Sequence, residues 1–355
     1  MKERLHTYYK NKKVFLTGHT GFKGTWLTAM LRYLGATVKG YSLAPTASKP
    51  FHELFSFEGM ERIEADIRDK ERLKDAIVSF QPDYIYHLAA QPLVIRSYQI
   101  PAETFDVNVT GTANLLEALH ALVTPCTCVI ITTDKVYLNK EDGTLYKEGD
   151  RLGGFDPYSA SKACTELVVS SFRDSFFQFE NSAIPKGLAS ARAGNVIGGG
   201  DWSENRIIPD IIRSLMGDRP VSIRNPRSVR PWQHVLEPLG GYLLLGTHLN
   251  DDPARYSTAY NFGPHMEDHL TVKELADLAL ACWGSGNLDF GSAGNGVHEA
   301  QLLKLDISKS RQELNWEPKL DATSAIDWTI QWYRQPDGKK EQFTYDQIIS
   351  YLAIK

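Results

Sequence analysis

Lys13-Val-Phe-Leu-Thr17 is a short apolar run, Gly18-His-Thr-Gly21-Phe-Lys-Gly24 follows it, and Leu27, Met30, Leu31 and Leu34 then recur at helical spacing up to Gly35. A strand, a turn with three glycines and a helix, in that order, form the context in which a glycine fingerprint has physical meaning. Gly18 permits the tight turn, Gly21 lets the backbone approach a pyrophosphate, and Gly24 lets the helix pack closely on the strand. The helix N-terminus adds unpaired amides and a partial positive charge for phosphate. A chain that opens this way is expected to build βαβ units and bind a dinucleotide.

The next 170 or so residues continue the alternation. Thr37-Val-Lys-Gly-Tyr41, Arg62–Ile67, Tyr84–Leu88, Val129–Thr133 and Leu188–Arg192 read as strands, and a long helix is expected from about Pro101 to Leu122. The fold class is therefore α/β, a Rossmann-type doubly wound parallel sheet with a smaller mixed α/β lobe. In such sheets ligands bind at the carboxyl ends of the strands. Residues 89–91, 133–135 and 192–195 all fall at such ends. Past residue 193 the texture changes to a glycine-rich loop, a helix from Arg206 to Met216, and a cluster of Arg224, Arg227 and Arg230 near Trp232 and His234. Residues 1–190 are read as the dinucleotide-binding domain, with returning pieces near 230–250 and 305–320, and residues 191–355 mainly as a substrate lobe. One expected part is missing. The second strand runs into Tyr41, Ser42 and Leu43, with neither a carboxylate for the adenosine ribose nor an arginine for a 2′-phosphate.

A second constellation carries the chemistry. Val129-Ile-Ile-Thr-Thr-Asp-Lys135 ends a strand, and Tyr158-Ser-Ala-Ser-Lys162 lies some twenty residues on. Residues four apart share a helix face, so Tyr158 and Lys162 can enter one site. An ammonium near a phenol favours the phenolate and makes it a usable base. Thr133 could hold a secondary alcohol in line for loss of a hydride. Asp134 and Lys135 add a candidate acid and a second ionisable group.

Of the 355 residues 42% are hydrophobic and 23% charged, ordinary globular values, and the net charge of −4 argues against a general nucleic-acid binder. The four cysteines have no metal-ligand spacing and read as core thiols. No apolar leader or membrane-length stretch is present, so a soluble cytoplasmic protein without metal is expected.

Taken together, the glycine turn, His87-Leu-Ala-Ala90, Asn108-Val-Thr-Gly-Thr112, Thr133-Asp134, Tyr158 to Lys162, Ala191-Arg192, Tyr260-Asn-Phe-Gly263 and Asn315-Trp-Glu-Pro318 resemble the extended short-chain dehydrogenase/reductase family, and within it the sugar-nucleotide 4,6-dehydratases. Gly21-Phe-Lys-Gly-Thr-Trp26, Arg230-Pro-Trp-Gln-His-Val235 and Lys135 in place of a glutamate are similar to the branch acting on CDP-glucose. The resemblance implies retained NAD, with Gly18, Gly21, Phe22, Lys23, Gly24, Ser42, Asp66, Ile67, Ala89, Ala90, Gln91, Asn108 and Thr132 around it, beside Tyr158 and Lys162. It implies oxidation at C4, loss of water across C5 and C6, and hydride return to C6. Thr133, Asp134, Lys135, Tyr158 and Lys162 would be catalytic. Asp134 would be the acid, and Lys135 either the C5 base or a charge that stabilises the enolate. Arg206 and Arg230 would hold the substrate pyrophosphate, Asn195 the sugar or phosphate, and Arg192 the pyrimidine. A homodimer, through helices near 101–122 and 157–173, or a tetramer is implied, as is a product for deoxysugar and lipopolysaccharide O-antigen biosynthesis. The competing readings are a nucleotide-sugar 4-epimerase or reductase, and an inactive NAD-binding regulator.

Overall fold

The computed structural model describes residues 1–45, 51–177, 184–223, 225–266, 268–290 and 303–355. Arg224 lies outside the described residues. Seven strands form one parallel sheet: β1 (Lys13–Thr17), β2 (Thr37–Ser42), β3 (Glu61–Glu64), β4 (Tyr84–His87), β5 (Cys126–Ile131), β6 (Lys186–Ala193) and β7 (Ala259–Phe262). Their order is β7-β6-β5-β4-β1-β2-β3, so the direction of winding reverses between β1 and β4.

Successive strand residues point to opposite faces, and both faces are buried here. Val14, Leu16, Tyr84, Tyr86, Val129 and Ile131 enter one core, while Phe15, Ile85, Cys128 and Ile130 enter the other. This double burial is why the strands read as continuous apolar runs. On the second face, the expected long helix forms as Pro101–Phe105 and Gly111–His120 joined by a π-helical turn at Asp106–Thr110. At Gly111 a Cβ would lie 2.4 Å from Ile67 Cδ1, so a larger residue there would have to displace the Ile67 side chain in the loop after β3. The Tyr158/Lys162 helix spans Pro157–Phe176 and starts where it does because Asp156 caps it. The Asp156 carboxylate accepts from the Ser159 N–H at 2.9 Å and the Ser159 hydroxyl at 2.6 Å, and Pro157 occupies the first turn.

The third strand is shorter than its sequence pattern, and β6 straddles the boundary expected at residue 190. The chain also returns to the sheet at an unexpected place. β7 pairs with β6 in parallel, Asn261 opposite Arg192. The helix Leu236–Asp251, within the returning piece near 230–250, packs against β5 and β6. Near 305–320, Lys304–Leu305 pairs with Leu145–Tyr146.

The C-terminal helices Ala322–Arg334 and Asp337–Ala353 lock the loop at 198–201 in place. Trp332 is fully buried, donates its indole N–H to Thr344 Oγ1 at 2.8 Å, and packs edge-on against Phe51. A Cβ on Gly199 would fall 2.0 Å from its ring. Trp332→Ala is expected to cost about 3–5 kcal/mol, as large-to-small substitutions of buried aromatics do, seen as a lower urea midpoint in equilibrium unfolding.

Candidate active site

The carboxyl ends of the central strands open into one crevice of about 1530 Å³. Ordinary small-molecule pockets hold about 300–1,000 Å³, so this one has room for a dinucleotide and a second nucleotide-sized ligand. Gly18, Gly21, Phe22, Lys23, Gly24, Ser42, Asp66, Ile67, Ala89, Ala90, Gln91 and Thr132 line it, as do Thr133, Asp134, Lys135, Tyr158, Lys162, Asn195, Arg206 and Arg230.

The glycine turn fits a dinucleotide by its shape. Gly18 has φ +74°, and a Cβ there would lie 2.7 Å from the Ala89 nitrogen. A Cβ on Gly24 would lie 2.0 Å from the Gly18 carbonyl oxygen. Three backbone segments thus close together with no room for side chains, and the Phe22–Tyr33 helix begins at the crevice. At the end of β2, where a carboxylate was missing, the Thr20 and Ser42 hydroxyls lie 2.6 Å apart. Asp66 reaches the crevice already engaged, accepting from the Arg68 backbone N–H and twice from its guanidinium.

Asn108 requires a correction. It is buried behind the wall, not on it. Its amide oxygen accepts from the Gln91 N–H at 2.8 Å, and its NH₂ donates to Ser161 Oγ at 2.8 Å. Asn108 therefore ties the loop after β4 to the Tyr158/Lys162 helix and shapes the crevice from outside.

At the end of β5, Thr133 is the hinge of the reactive cluster. Its hydroxyl donates to Asp134 Oδ1 at 3.0 Å and accepts from the Lys135 N–H at 3.3 Å, in the crevice that Tyr158 also lines. Asp134 is buried, and burial raises its pKa against the opposing pulls of Lys135, the Thr133 bond, Arg230 and Lys23. Burial likewise pushes Tyr158 up to about 12, while the Thr133 bond pulls it down. Lys162 donates to the Ile131 carbonyl at 3.1 Å, and burial lowers its ammonium to about 8. The simple picture of an ammonium ionising a phenol is thus modified: burial of Tyr158 outweighs the downward pulls on it, which come from Thr133 and Arg206.

Cations dominate the rest. Burial, followed by the charge of Arg206, brings Lys23 down to about 7. Arg206 donates to Asp201 at 3.0 Å, and that pairing outweighs burial in keeping it charged. Arg230 lines the wall from a short antiparallel pairing with Leu270–Thr271, and Asn195 lines the loop beyond β6. Arg192 is the second correction. It is 3% exposed, does not line the crevice, and is consumed by Glu166, Tyr137 and the Glu148 carbonyl. A β6 residue has two faces, and its strand position turns this one into the core.

Two participants escaped the sequence reading. Asp201 holds Arg206, and only the folded loop brings them together. Glu166 stands four residues after Lys162, on the face that Tyr158 and Lys162 share. That spacing was the available signal. Among the described residues no cluster of His, Cys, Asp and Glu could hold a metal ion, and no helix is long and apolar enough to cross a membrane.

Comparison with known proteins places this geometry. The family model described as GDP-mannose 4,6 dehydratase matches residues 15–329. A CDP-glucose 4,6-dehydratase of Salmonella typhimurium is 46% identical over 331 residues, covering 92% of each chain. A dTDP-glucose 4,6-dehydratase of Streptomyces antibioticus is 29% identical over 331 residues, covering 90% of this chain and 92% of the other. Among solved structures, DesIV, a dTDP-glucose 4,6-dehydratase of Streptomyces venezuelae with NAD and TYD bound, superposes with a TM-score of 0.77 at 23% identity, covering 93% of this chain and 99% of that one. From the first strand to the C-terminal helices, then, the chain belongs to the GDP-mannose 4,6 dehydratase family.

Proposed function

We propose that this protein is a lyase that converts CDP-glucose to CDP-4-keto-6-deoxyglucose in an NAD-dependent 4,6-dehydration. The observation that carries the reading is Asp134: a buried carboxyl, its pKa raised by burial, hydrogen-bonded to the Thr133 hydroxyl in the crevice that Tyr158 and Lys162 line. An epimerase or reductase needs the Tyr158/Lys162 pair but not an acid beside it. The likeness to the Salmonella enzyme supports the choice of CDP-glucose.

NAD, when bound, would supply the hydride acceptor for C4 and the donor for C6. The chain does the rest. Tyr158 takes the proton of the 4-hydroxyl, with Thr133 holding that oxygen in line. The C4 ketone acidifies C5–H, and Asp134 protonates the departing 6-hydroxyl. Lys135, half-buried beside Asp134, serves at C5 as base or as the charge that stabilises the enolate. Arg206 and Arg230 match a pyrophosphate in charge and in their forked donors. Asn195, beside them, would meet the sugar or a phosphate. We place the protein in the cytoplasm as a homodimer serving deoxysugar biosynthesis for lipopolysaccharide O-antigen. Leu167 on the Pro157–Phe176 helix and Phe105 at the end of the Pro101–Phe105 helix are exposed apolar side chains that such a dimer would bury.

Incubated with CDP-glucose and, separately, with dTDP-, UDP- and GDP-linked sugars, the protein is expected to form a 4-ketone from CDP-glucose. C4 epimers without ketone would sink the reading. Asp134→Asn should still oxidise C4, so reduced-cofactor absorbance appears, while the 4-keto-6-deoxy product forms about 10²–10⁴-fold more slowly. The pH dependence has a definite sign. Asp134 acts while protonated, its raised pKa keeps the acid form available to higher pH, and that form is lost as pH rises through it. Elimination should therefore slow on the alkaline side, with reduced cofactor building up in stopped-flow absorbance.

A further inference from the structure

Glu166 and Arg192 form an ion pair with side chains only 3% and 4% exposed, at 2.8 Å. The Glu166 carboxylate accepts four hydrogen bonds: from Thr132 Oγ1 at 2.5 Å, Ser190 Oγ at 2.7 Å, Arg192 Nε at 3.0 Å and Arg192 Nη2 at 2.8 Å. These donors come from the segment after β5 and from β6, whereas Glu166 belongs to the Pro157–Phe176 helix. Burying a charge pair is a poor route to stability, because packed apolar side chains of similar volume do as well or better. The location of this pair matters more. Glu166 stands one helical turn beyond Lys162, which stands one turn beyond Tyr158, so the three share a face. Thr132, its partner, is the residue before Thr133.

We propose that Glu166 is a positioning residue for the Tyr158/Lys162 pair. It pins their helix to the carboxyl ends of β5 and β6, one turn beyond Lys162, and so fixes where the Lys162 ammonium stands at the bottom of the crevice. Lys162 is faced by Tyr158 and Glu166 from its own helix, by His87 from β4, and by Lys23 from the helix after the glycine turn. His87 is kept neutral, first by burial and then by Lys162 itself. Lys23 is a like charge. Glu166 meets Lys162 as the negative half of its buried pair with Arg192; burial lowers the Lys162 ammonium, and the charge of Glu166 works against that to keep it cationic. Arg192 in turn keeps Glu166 ionised, with Thr132 and Ser190 assisting against burial.

The proposal rests on the dehydratase reading above, and its test separates the two. The rate of C4 oxidation in the first turnover is measured as a function of pH for the unmodified holoenzyme and for Glu166→Gln, which keeps the shape and hydrogen-bonding oxygen but removes the charge. Losing the anion lowers the pKa of Lys162, so the alkaline fall in oxidation rate should begin about one pH unit lower, with KM for the sugar nucleotide little changed. Glu166→Gln leaves Arg192 as a lone buried cation that itself disfavours a charged Lys162, so the double variant Glu166→Gln/Arg192→Gln is run beside it and should move the profile in the same direction by a smaller amount. A profile that does not move in a variant that melts cooperatively overturns the proposal. Failure of both variants to fold also overturns it, since the pair would then belong to stability alone. Absence of turnover in the unmodified protein would instead sink the dehydratase reading.

Discussion

The close approach of three backbone segments at the glycine turn is the constraint on which the rest of the molecule hangs. The Gly18 N–H donates to the Tyr41 carbonyl at 2.9 Å, and the Gly21 N–H donates to the Gly18 carbonyl at 3.1 Å. The helix that follows lies so near that a single methyl on Gly24 would overlap the Gly18 carbonyl. Only a backbone without side chains can bring the ends of β1, β2 and β4 this close together. Once it does, the floor of the crevice is set, and everything on β5 and β6 is placed relative to that floor.

The electrostatics of the crevice follow from burial rather than from net charge. The chain as a whole is mildly acidic, yet Lys23, Lys135, Lys162, Arg206 and Arg230 converge on a space with Asp134 near its centre. Such a site favours a doubly charged pyrophosphate over a neutral sugar. Burial also moves Tyr158 and Asp134 upward and Lys23 and Lys162 downward. The carboxyl is thereby suited to donate a proton, and Lys23 and Lys162 are less firmly charged. Site and fold are joined by ordinary interactions, such as the Asn108 amide bracing the loop after β4 and the Trp332 indole N–H bracing the wall at residues 198–201.

Much of this was legible in the chain because it is local. The strand–turn–helix at residues 13–35 depends on neighbours in sequence, and Tyr158 with Lys162 on helical periodicity. The run Thr133-Asp134-Lys135 follows an apolar strand, so its place at a carboxyl end needs no tertiary information. Long-range features were less accessible. β7 is a four-residue strand, Ala-Tyr-Asn-Phe, whose place beside β6 is set by packing some seventy residues away in the chain. Arg192 and Asn195 are three residues apart, yet one enters the core and the other the crevice, because one lies inside β6 and the other beyond its end.

The sequence alone determined the fold class, the glycine turn and the convergence of Thr133, Asp134, Tyr158 and Lys162 on one crevice, because each rests on short-range periodicity or on a close backbone approach that only glycine allows. Tertiary structure decided which polar side chains face the crevice and which are spent holding it. Asn108, Arg192 and Glu166 are as polar as Asn195, Arg206 and Asp134, and nothing in their identity separates the two groups. What separates them is the pairing of strands and the docking of the Pro157–Phe176 helix, which give the first group buried partners and leave the second facing open space.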